Sequence, residues 1–500
     1  MREHNPITIE AIKGLWDRGD IEDTPLDHLS EANNLKYFGN GGFETRDGVG
    51  RHQDVASPLS NVLRIYNYPT EDGNTILVLT SGGNIYHVVD ATTIFGPILT
   101  IANMTDFGFA PYGGRAYITP FTTEVAGNMN RERGLQNEFL YVYKGDGTAA
   151  RKAGGTAPTG ALTLVNGAAG NTDAGVHIFG VVFETDTGYL TPPGALVAFT
   201  TTAGFSVDIS NIPISPDAFV VKRHIVASKV IQSYNGDVNG YQLFFVPDGE
   251  IPNNVSTTLN SVSFFDADLL EDASHLSDNF AEIPAGVGLC VYHNRLCLWT
   301  EYDNVSIVRV SEPGEPEAFN QVEGLLTVPP DGNYITNCAE LRDVLYVFKR
   351  AKTVSFVDNG DVPSLWPLTV VDNAMGCGVH GIATVLDSGA ANVDYLIVAA
   401  YNGLVLFNGR YILPELSWKI QNFWRSQDFL NRNRFIQPVN DSVKQAIYCV
   451  LTDNTILYGE YSNGLDPKAI RWCPWTFEVK VNAVCLINIS DLILGCDQAV

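Results

Sequence analysis

Apolar residues along this chain fall in runs of four to seven, rich in Val, Ile, Tyr and Phe and bounded by Gly, Asn, Asp or Pro. Such runs predict β-strands, and long helical periodicities are almost absent. In the C-terminal half the runs recur at residues 294–299, 342–348, 394–399 and 445–450. Aligned on Leu296, Leu345, Ile397 and Tyr448, they stand 49, 52 and 51 residues apart. In three of these four units a second short strand follows, at residues 354–358, 403–407 and 454–458. A strand, a tight turn and another strand, iterated near fifty residues, predict the blades of a β-propeller.

Two earlier blades are expected between residues 56 and 157. Residues 75–80 turn at 81–83 into 84–88, and residues 114–118 lead through a polar excursion at 122–137 to a strand at 139–143. That excursion holds Arg131 and Arg133, and its length marks it as a contact loop. From Gly154 the echo stops. Residues 154–160 have the composition of a linker, and residues 158–272 hold short strands rich in Thr and Val without blade spacing. They predict an inserted β-sandwich of immunoglobulin or fibronectin type. The propeller resumes over residues 273–500, where the last runs, 484–488 and 491–495, make only half a blade. The expected class is therefore all-β, a propeller of six or seven blades carrying an inserted sandwich.

Residues 1–55 break the pattern. They are polar and crowded with Gly39, Gly41, Gly42, Gly48 and Gly50, so they bury too little to fold alone. They read as an extended assembly arm with two candidate destinations, a neighbouring subunit or the unfinished last blade of the same chain. Trp16, Arg18 and Arg46 are its candidate contact residues.

Composition narrows the partners. With 56 acidic and 31 basic side chains the net charge is −25, which argues against a sequence-independent grip on nucleic acid. The sandwich segment alone carries 12 acidic and 3 basic residues. All eight cysteines lie at or beyond Cys290, mostly within apolar strands and never as Cys-x-x-Cys, so buried free thiols are expected. The N-terminus lacks the apolar core of a signal peptide, and no stretch is long enough to span a bilayer. A protein assembled in the cytosol and exported within a particle fits that combination.

Candidate chemistry is sparse. There is no Gly-x-Ser-x-Gly elbow and no Gly-Lys dipeptide, which excludes a phosphate-binding P-loop. The acidic group Asp266, Asp268, Glu271 and Asp272 suits calcium less well than it suits a solvated linker, for want of a Gly-punctuated loop. Residues 71–75 read as a hairpin turn rather than a sialidase-type Asp-box. Trp418, Trp424, Trp472 and Trp475, with Phe423 and Phe477, serve either as packing between blades or as a sugar-stacking platform, and packing is favoured. No enzyme activity, cofactor or metal is expected.

Two stretches carry a resemblance. One runs through Gly14, Leu15, Trp16, Asp17, Arg18 and Gly19, then residues 25–29 and 32–35, then 41–48; the other joins residues 294–296 to 310–319. Both resemble the hub or nozzle (tail tubular) proteins of short-tailed bacteriophages. The resemblance implies a propeller-like body with inserted β lobes, arranged as a homohexameric ring below the portal. The implied location is the virion tail, assembled in the host bacterial cytoplasm. The implied partners are head-to-tail adaptor proteins and tail fibre or needle proteins. Double-stranded DNA would pass through transiently, without tight binding, so that the ring is a conduit and candidate gate for genome ejection. The alternative expectation is a receptor- or glycan-binding propeller on the virion exterior, using the tryptophan cluster.

Overall fold

The computed structural model describes residues 12–18, 24–38, 42–50, 52, 59–71, 73–122, 135–136, 139–273, 283, 286–301, 304–378, 381–387, 393–426, 437–451, 455–488 and 490–497. They form two compact units. One comprises Met1–Arg151, Ala285–Arg309 and Leu326–Val500; the other comprises Lys152–Pro284 and Val310–Leu325.

The first unit opens with a hairpin of β1 (Leu35–Tyr37) and β2 (Phe43–Thr45), and then builds blades. The first blade is β3 (Val62–Thr70), β4 (Gly73–Thr80), β5 (Asn84–Val88) and β6 (Ile94–Thr100). The second is β7 (Met104–Tyr112), β8 (Arg115–Thr122), β10 (Tyr141–Tyr143) and β11 (Arg151–Lys152), with the short β9 (Leu135–Gln136) against β8. After seven sandwich strands, β12 to β18, the third blade is β19 (Gly288–Tyr292), β20 (Arg295–Glu301), β21 (Asn304–Val310) and β22 (Leu325–Thr327). The fourth is β23 (Ile335–Leu341), β24 (Val344–Lys349), β25 (Thr353–Phe356) and β26 (Leu368–Asp372). The fifth is β27 (Ile382–Asp387), β28 (Val393–Ala400), β29 (Gly403–Phe407) and β30 (Tyr411–Ile412). The sixth is β31 (Gln437–Asp441), β32 (Ala446–Val450), β33 (Ile456–Glu460) and β34 (Arg471–Trp475). A last sheet holds only β35 (Val481–Ile487) and β36 (Asp491–Cys496).

Each sheet is an antiparallel meander, so consecutive strands pair through short hairpins. The first strands of the blades meet around a ring. β3 touches β7, β7 touches β19 and β19 touches β23; the fourth and fifth blades meet through β23 and β28, then β27 touches β31, β31 touches β35, and β35 returns to β3. Among the described residues the propeller therefore has seven members, five of four strands, the second of five with β9, and one of two. The four residues that carry the sequence echo, Leu296, Leu345, Ile397 and Tyr448, all sit in second strands and are buried. That strand is covered on both faces and both edges, which is why its apolar signature recurs so legibly.

Two devices hold the ring. The first is apolar. Val62, Ile65, Ile76 and Val78 of the first blade share a core with Ala483, Cys485 and Ile487 of the last, and Asn482 Nδ2 donates to Val62 O at 2.8 Å. The second is a series of hairpin-tip contacts. Tyr68 Oη donates to Gly114 O (3.0 Å), Tyr112 Oη to Asn294 O (2.9 Å) and Tyr292 Oη to Asp343 O (3.0 Å). Each acceptor lies in the first turn of the following blade. These turns are two residues long with positive φ at both positions, 44° and 58° at His293 and Asn294 and 52° and 60° at Arg342 and Asp343. That is the type I′ geometry whose twist matches the flanking strands.

The second unit is a sandwich of seven strands: β12 (Thr163–Ala169), β13 (Gly175–Thr185), β14 (Val197–Thr201), β15 (Phe205–Ser210), β16 (Val220–Ser228), β17 (Leu243–Pro252) and β18 (Leu259–Val262). The sheets run β12-β15-β18 and β14-β13-β16-β17 around Phe179, Phe183, Val207, Ile209, Ile225 and Phe264. Naming β12 as strand B gives B, C, C′, E, F and G in immunoglobulin order, with β14-β13-β16-β17 as C′-C-F-G. β18 follows G in the chain yet pairs with E, at the edge where an immunoglobulin domain places D. The unit begins at Lys152 rather than 158, and takes in Val310–Leu325, which the sequence pattern assigns to the propeller. That segment joins β21 to β22 within a blade, so nothing in its local spacing separates it.

Candidate functional site

The N-terminal segment is where the sequence places contact residues, and its described part lies on the sixth blade of its own chain. Leu15 enters the core formed by Trp424, Ile447, Leu457 and Trp472, and its backbone N–H donates to Trp472 O at 3.2 Å. Gly14 makes the approach possible. Its φ is +88°, and a Cβ there would stand 2.9 Å from the Arg471 Cα. Residues 14–16 and 29 exchange backbone bonds, Trp16 N to Leu29 O and Leu29 N to Gly14 O, each 2.9 Å. The segment thus folds back on itself as it docks, which a plain extended arm would not do.

Lys419 anchors it from below. Its Nζ donates to Lys13 O and to Ile470 O, both at 3.1 Å, while Asp17 N donates to Lys419 O at 2.8 Å. Burial of this ammonium among carbonyls pushes its pKa down to about 8. Nearby, the hydrogen bond from Lys13 holds the Asp27 carboxyl below the usual range, and burial lowers His28.

Trp16 and Arg18 meet at one place. The Trp16 ring stands edge-on to Trp418 at 5.4 Å, and the Arg18 guanidinium lies 3.9 Å over the same Trp418. Arg46 forms a separate clamp. Its Nε donates to Asn34 Oδ1 and a terminal nitrogen to Thr476 O, both at 3.0 Å, and its guanidinium covers Phe477 at 4.2 Å. Between the clamps, Asn34 N donates to Pro474 O (2.9 Å), Trp475 Nε1 to Leu35 O (2.7 Å) and Tyr37 Oη to Trp472 O (3.1 Å). Trp16 and Arg18 therefore meet Trp418, which lies just before the sixth blade, while Arg46 reaches Thr476 O beside its outer strand.

The tryptophans are structural. Trp424 and Trp472 are fully buried, Trp475 is buried, and Trp418 is covered by Trp16 and Arg18. They present no open aromatic platform. All eight cysteines are free, six of them buried. The acidic group near 270 disperses: Asp266 accepts from Val230 N, Asp268 from Phe265 N and Asp272 from Gln242 Nε2. Arg131 and Arg133 lie outside the described residues.

Sequence reasoning missed a cleft of about 590 Å³ in the sandwich, lined by Glu184, His224, Asp248, Glu250, Asp268 and Glu271. Its members come from β13, β16 and β17 and the segment beyond β18, and only the fold assembles them. Of its acidic lining, only Asp268 and Glu271 belong to the acidic group near 270 that the sequence singles out.

No family model and no curated protein matches this chain. Among solved structures it is similar to the WD40 repeats of RRP9 (8% identity, 90% of this chain and 92% of that one, TM-score 0.40). It is also similar to U3-55K (8% identity, 88% and 89%, TM-score 0.39) and to the WD40 domain of SCAP from fission yeast (9% identity, 90% and 97%, TM-score 0.29). Likeness at this level gives no guidance to function, and the propeller rests on its own strand order.

Proposed function

We propose that this β-propeller protein is a structural, ring-forming component of a particle, of the tail hub or nozzle kind found in short-tailed bacteriophages. The observation that carries the assembly reading is the unfinished seventh blade. Among the described residues no strand pairs with the outer edge of β36, whose Leu492, Ile493 and Leu494 are only partly buried, against the cores of the adjoining blades. In the sixth blade every residue of the equivalent strand, β32, is buried. A blade whose second strand has an unpaired backbone edge is suited to completion by strand addition from a partner. The resemblance of the N-terminal segment and of residues 310–319 to hub proteins then supplies the class of particle.

In this reading six copies surround the tail axis beneath adaptor proteins and above fibre or needle proteins, assembled in the host cytoplasm. The charge of −25 keeps a passing duplex in solution, because phosphate contacts by Lys or Arg would hold it. No helix is long and apolar enough to cross a membrane. The reading gives the chain no catalytic role. The glycan-binding alternative loses its proposed platform with the burial of the tryptophans, and no other observation favours it. Native mass measurement of the chain recovered from disassembled particles tests the proposal: a hexamer is expected, and a chain that is monomeric at all concentrations contradicts it.

A further inference from the structure

Two groups of metal-ligating side chains occur among the described residues, Glu184 with His224 and Glu250, and His293 with Glu340 and Asp343. Their surroundings differ. In the first, the Lys222 ammonium stands 3.0 Å from Glu250 and 3.8 Å from Glu184, and His224 Nε2 is 2.7 Å from Glu184. That group already has its cation, and a metal would have to displace it.

The second group has no lysine or arginine paired with its carboxylates among the described residues. Arg342, in the same turn as Asp343, points elsewhere and donates to Asp394 O at 2.9 Å. One ligand atom from each of His293, Glu340 and Asp343 lies within 4.8 Å of the others, and His293 Nε2 is 3.6 Å from Asp343 Oδ1. A tetrahedral zinc site with bonds of about 2.0 Å places its ligand atoms roughly 3.3 Å apart, so the imidazole and Asp343 stand close to that spacing and Glu340 closes by side-chain rotation.

The imidazole is oriented by independent contacts. Its other nitrogen, Nδ1, stands 3.5 Å from Asp358 Oδ2, longer than a hydrogen bond and within a small ring rotation of the carboxylate–histidine pairing of metal sites. Asp358 is itself held, through its other oxygen, by Gly360 N at 2.9 Å. The ring stacks on Tyr292 with centroids 4.1 Å apart. The Tyr292 hydroxyl in turn donates to Asp343 O at 3.0 Å and accepts from Asp358 N at 3.1 Å. One buried tyrosine thus fixes the ring, the turn that carries a ligand and the residue that orients the imidazole. Three carboxylates thus lie around a single histidine, with Glu340 and Asp343 exposed and open to an ion from solvent.

We propose that His293 Nε2, Asp343 and Glu340 bind one divalent transition-metal cation of the zinc class, with Asp358 orienting the imidazole, and that the ion clips the third blade to the fourth. The imidazole nitrogen favours this class over calcium or magnesium, which take oxygen ligands.

The test is titration of the full, untagged chain with Zn²⁺ by calorimetry, and with Co²⁺ by visible absorption. One saturable equivalent is expected, with Co²⁺ bands of a low-coordinate nitrogen and oxygen site. His293→Asn and Asp343→Asn should each abolish it; Asn tolerates the positive φ of both turn positions, so metal-free melts should stay near the wild type. Asp358→Asn should weaken binding about tenfold by releasing the imidazole. Glu250→Gln, at the other group, should change nothing. Absence of a saturable equivalent overturns the proposal, as does an equivalent that survives both His293→Asn and Asp343→Asn, or one lost in Glu250→Gln.

Discussion

The sixth and seventh blades are neighbours built to opposite extremes. The sixth has four strands and, over them, the docked N-terminal segment; its second strand, β32, is wholly buried. The seventh has two strands, and its second strand, β36, buries only Gly495. The apolar content of the two strands is similar, since Ile447, Tyr448, Cys449 and Val450 compare with Leu492, Ile493, Leu494 and Cys496. Burial in a propeller is therefore conferred on a strand by what lies outside it, and similar apolar content is full core in one blade and only partly buried in the next.

The sharpest way to break this comparison is at the residue that joins the sixth blade to its cover. Trp472 is fully buried, packs in the core that receives Leu15, donates from Nε1 to Leu416 O at 3.0 Å and offers its carbonyl to Leu15 and Tyr37. Trp472→Ala should cost about 3–5 kcal/mol and release the N-terminal segment together with the blade. Denaturant unfolding and limited proteolysis of residues 12–50 read both effects. A stable propeller with a protected segment would show that the sixth blade does not depend on this contact.

A matched pair comes next. Ile447 in β32 is fully buried and Ile493 in β36 is half-exposed. Ile447→Ala should cost roughly 2–5 kcal/mol, and Ile493→Ala on the isolated chain about 1 kcal/mol, because less surface is removed from water. Within the assembled particle the second substitution should matter more than in the free chain. Equal costs in the free chain would mean that β36 is already covered.

Gly14→Ala isolates the cover itself. The new Cβ would stand against the Arg471 backbone at a φ of +88°, which costs about 1–2 kcal/mol in an L-residue. The expected outcome is faster cleavage of residues 12–50 with little change in propeller melting.

A narrower effect follows pH. Burial lowers the Lys419 pKa to about 8, below its unfolded value of about 10.4. Below pH 8 both states are protonated and the folded state carries the full cost of the buried charge. Between pH 8 and roughly 10.4 the unfolded state binds more protons, so this group's contribution to stability rises with pH. Buried thiols such as Cys449 titrate the other way, so the readout is the difference from Lys419→Met. Wild type should gain on the variant as pH rises through that window.

The blades were legible because second strands repeat a buried pattern at nearly constant spacing, and β35 and β36 were legible as two further apolar runs after the sixth blade. The sandwich was legible as a break in the echo. Its strand order was not, since β18 adds to an edge that local spacing does not specify. The docking of residues 12–50 was illegible for a different reason. Many of its contacts run through backbone carbonyls of Trp472, Pro474 and Thr476, which any sequence supplies, and the side chains that complete it, Trp16 and Arg18 on Trp418 and Arg46 on Phe477, meet partners at least 400 residues away in the chain. The His293 group was illegible as well, because His293 and the pair Glu340 and Asp343 stand about fifty residues apart and only the packing of the third blade on the fourth brings them together.

Reconstruction of the intact particle by electron microscopy tests the central claim most directly. The account predicts six copies of this propeller and sandwich around the tail axis, with the outer edge of β36 paired to a strand of a neighbouring chain. Density for the fold away from that axis, or on the axis with β36 solvent-exposed in every copy, would contradict it.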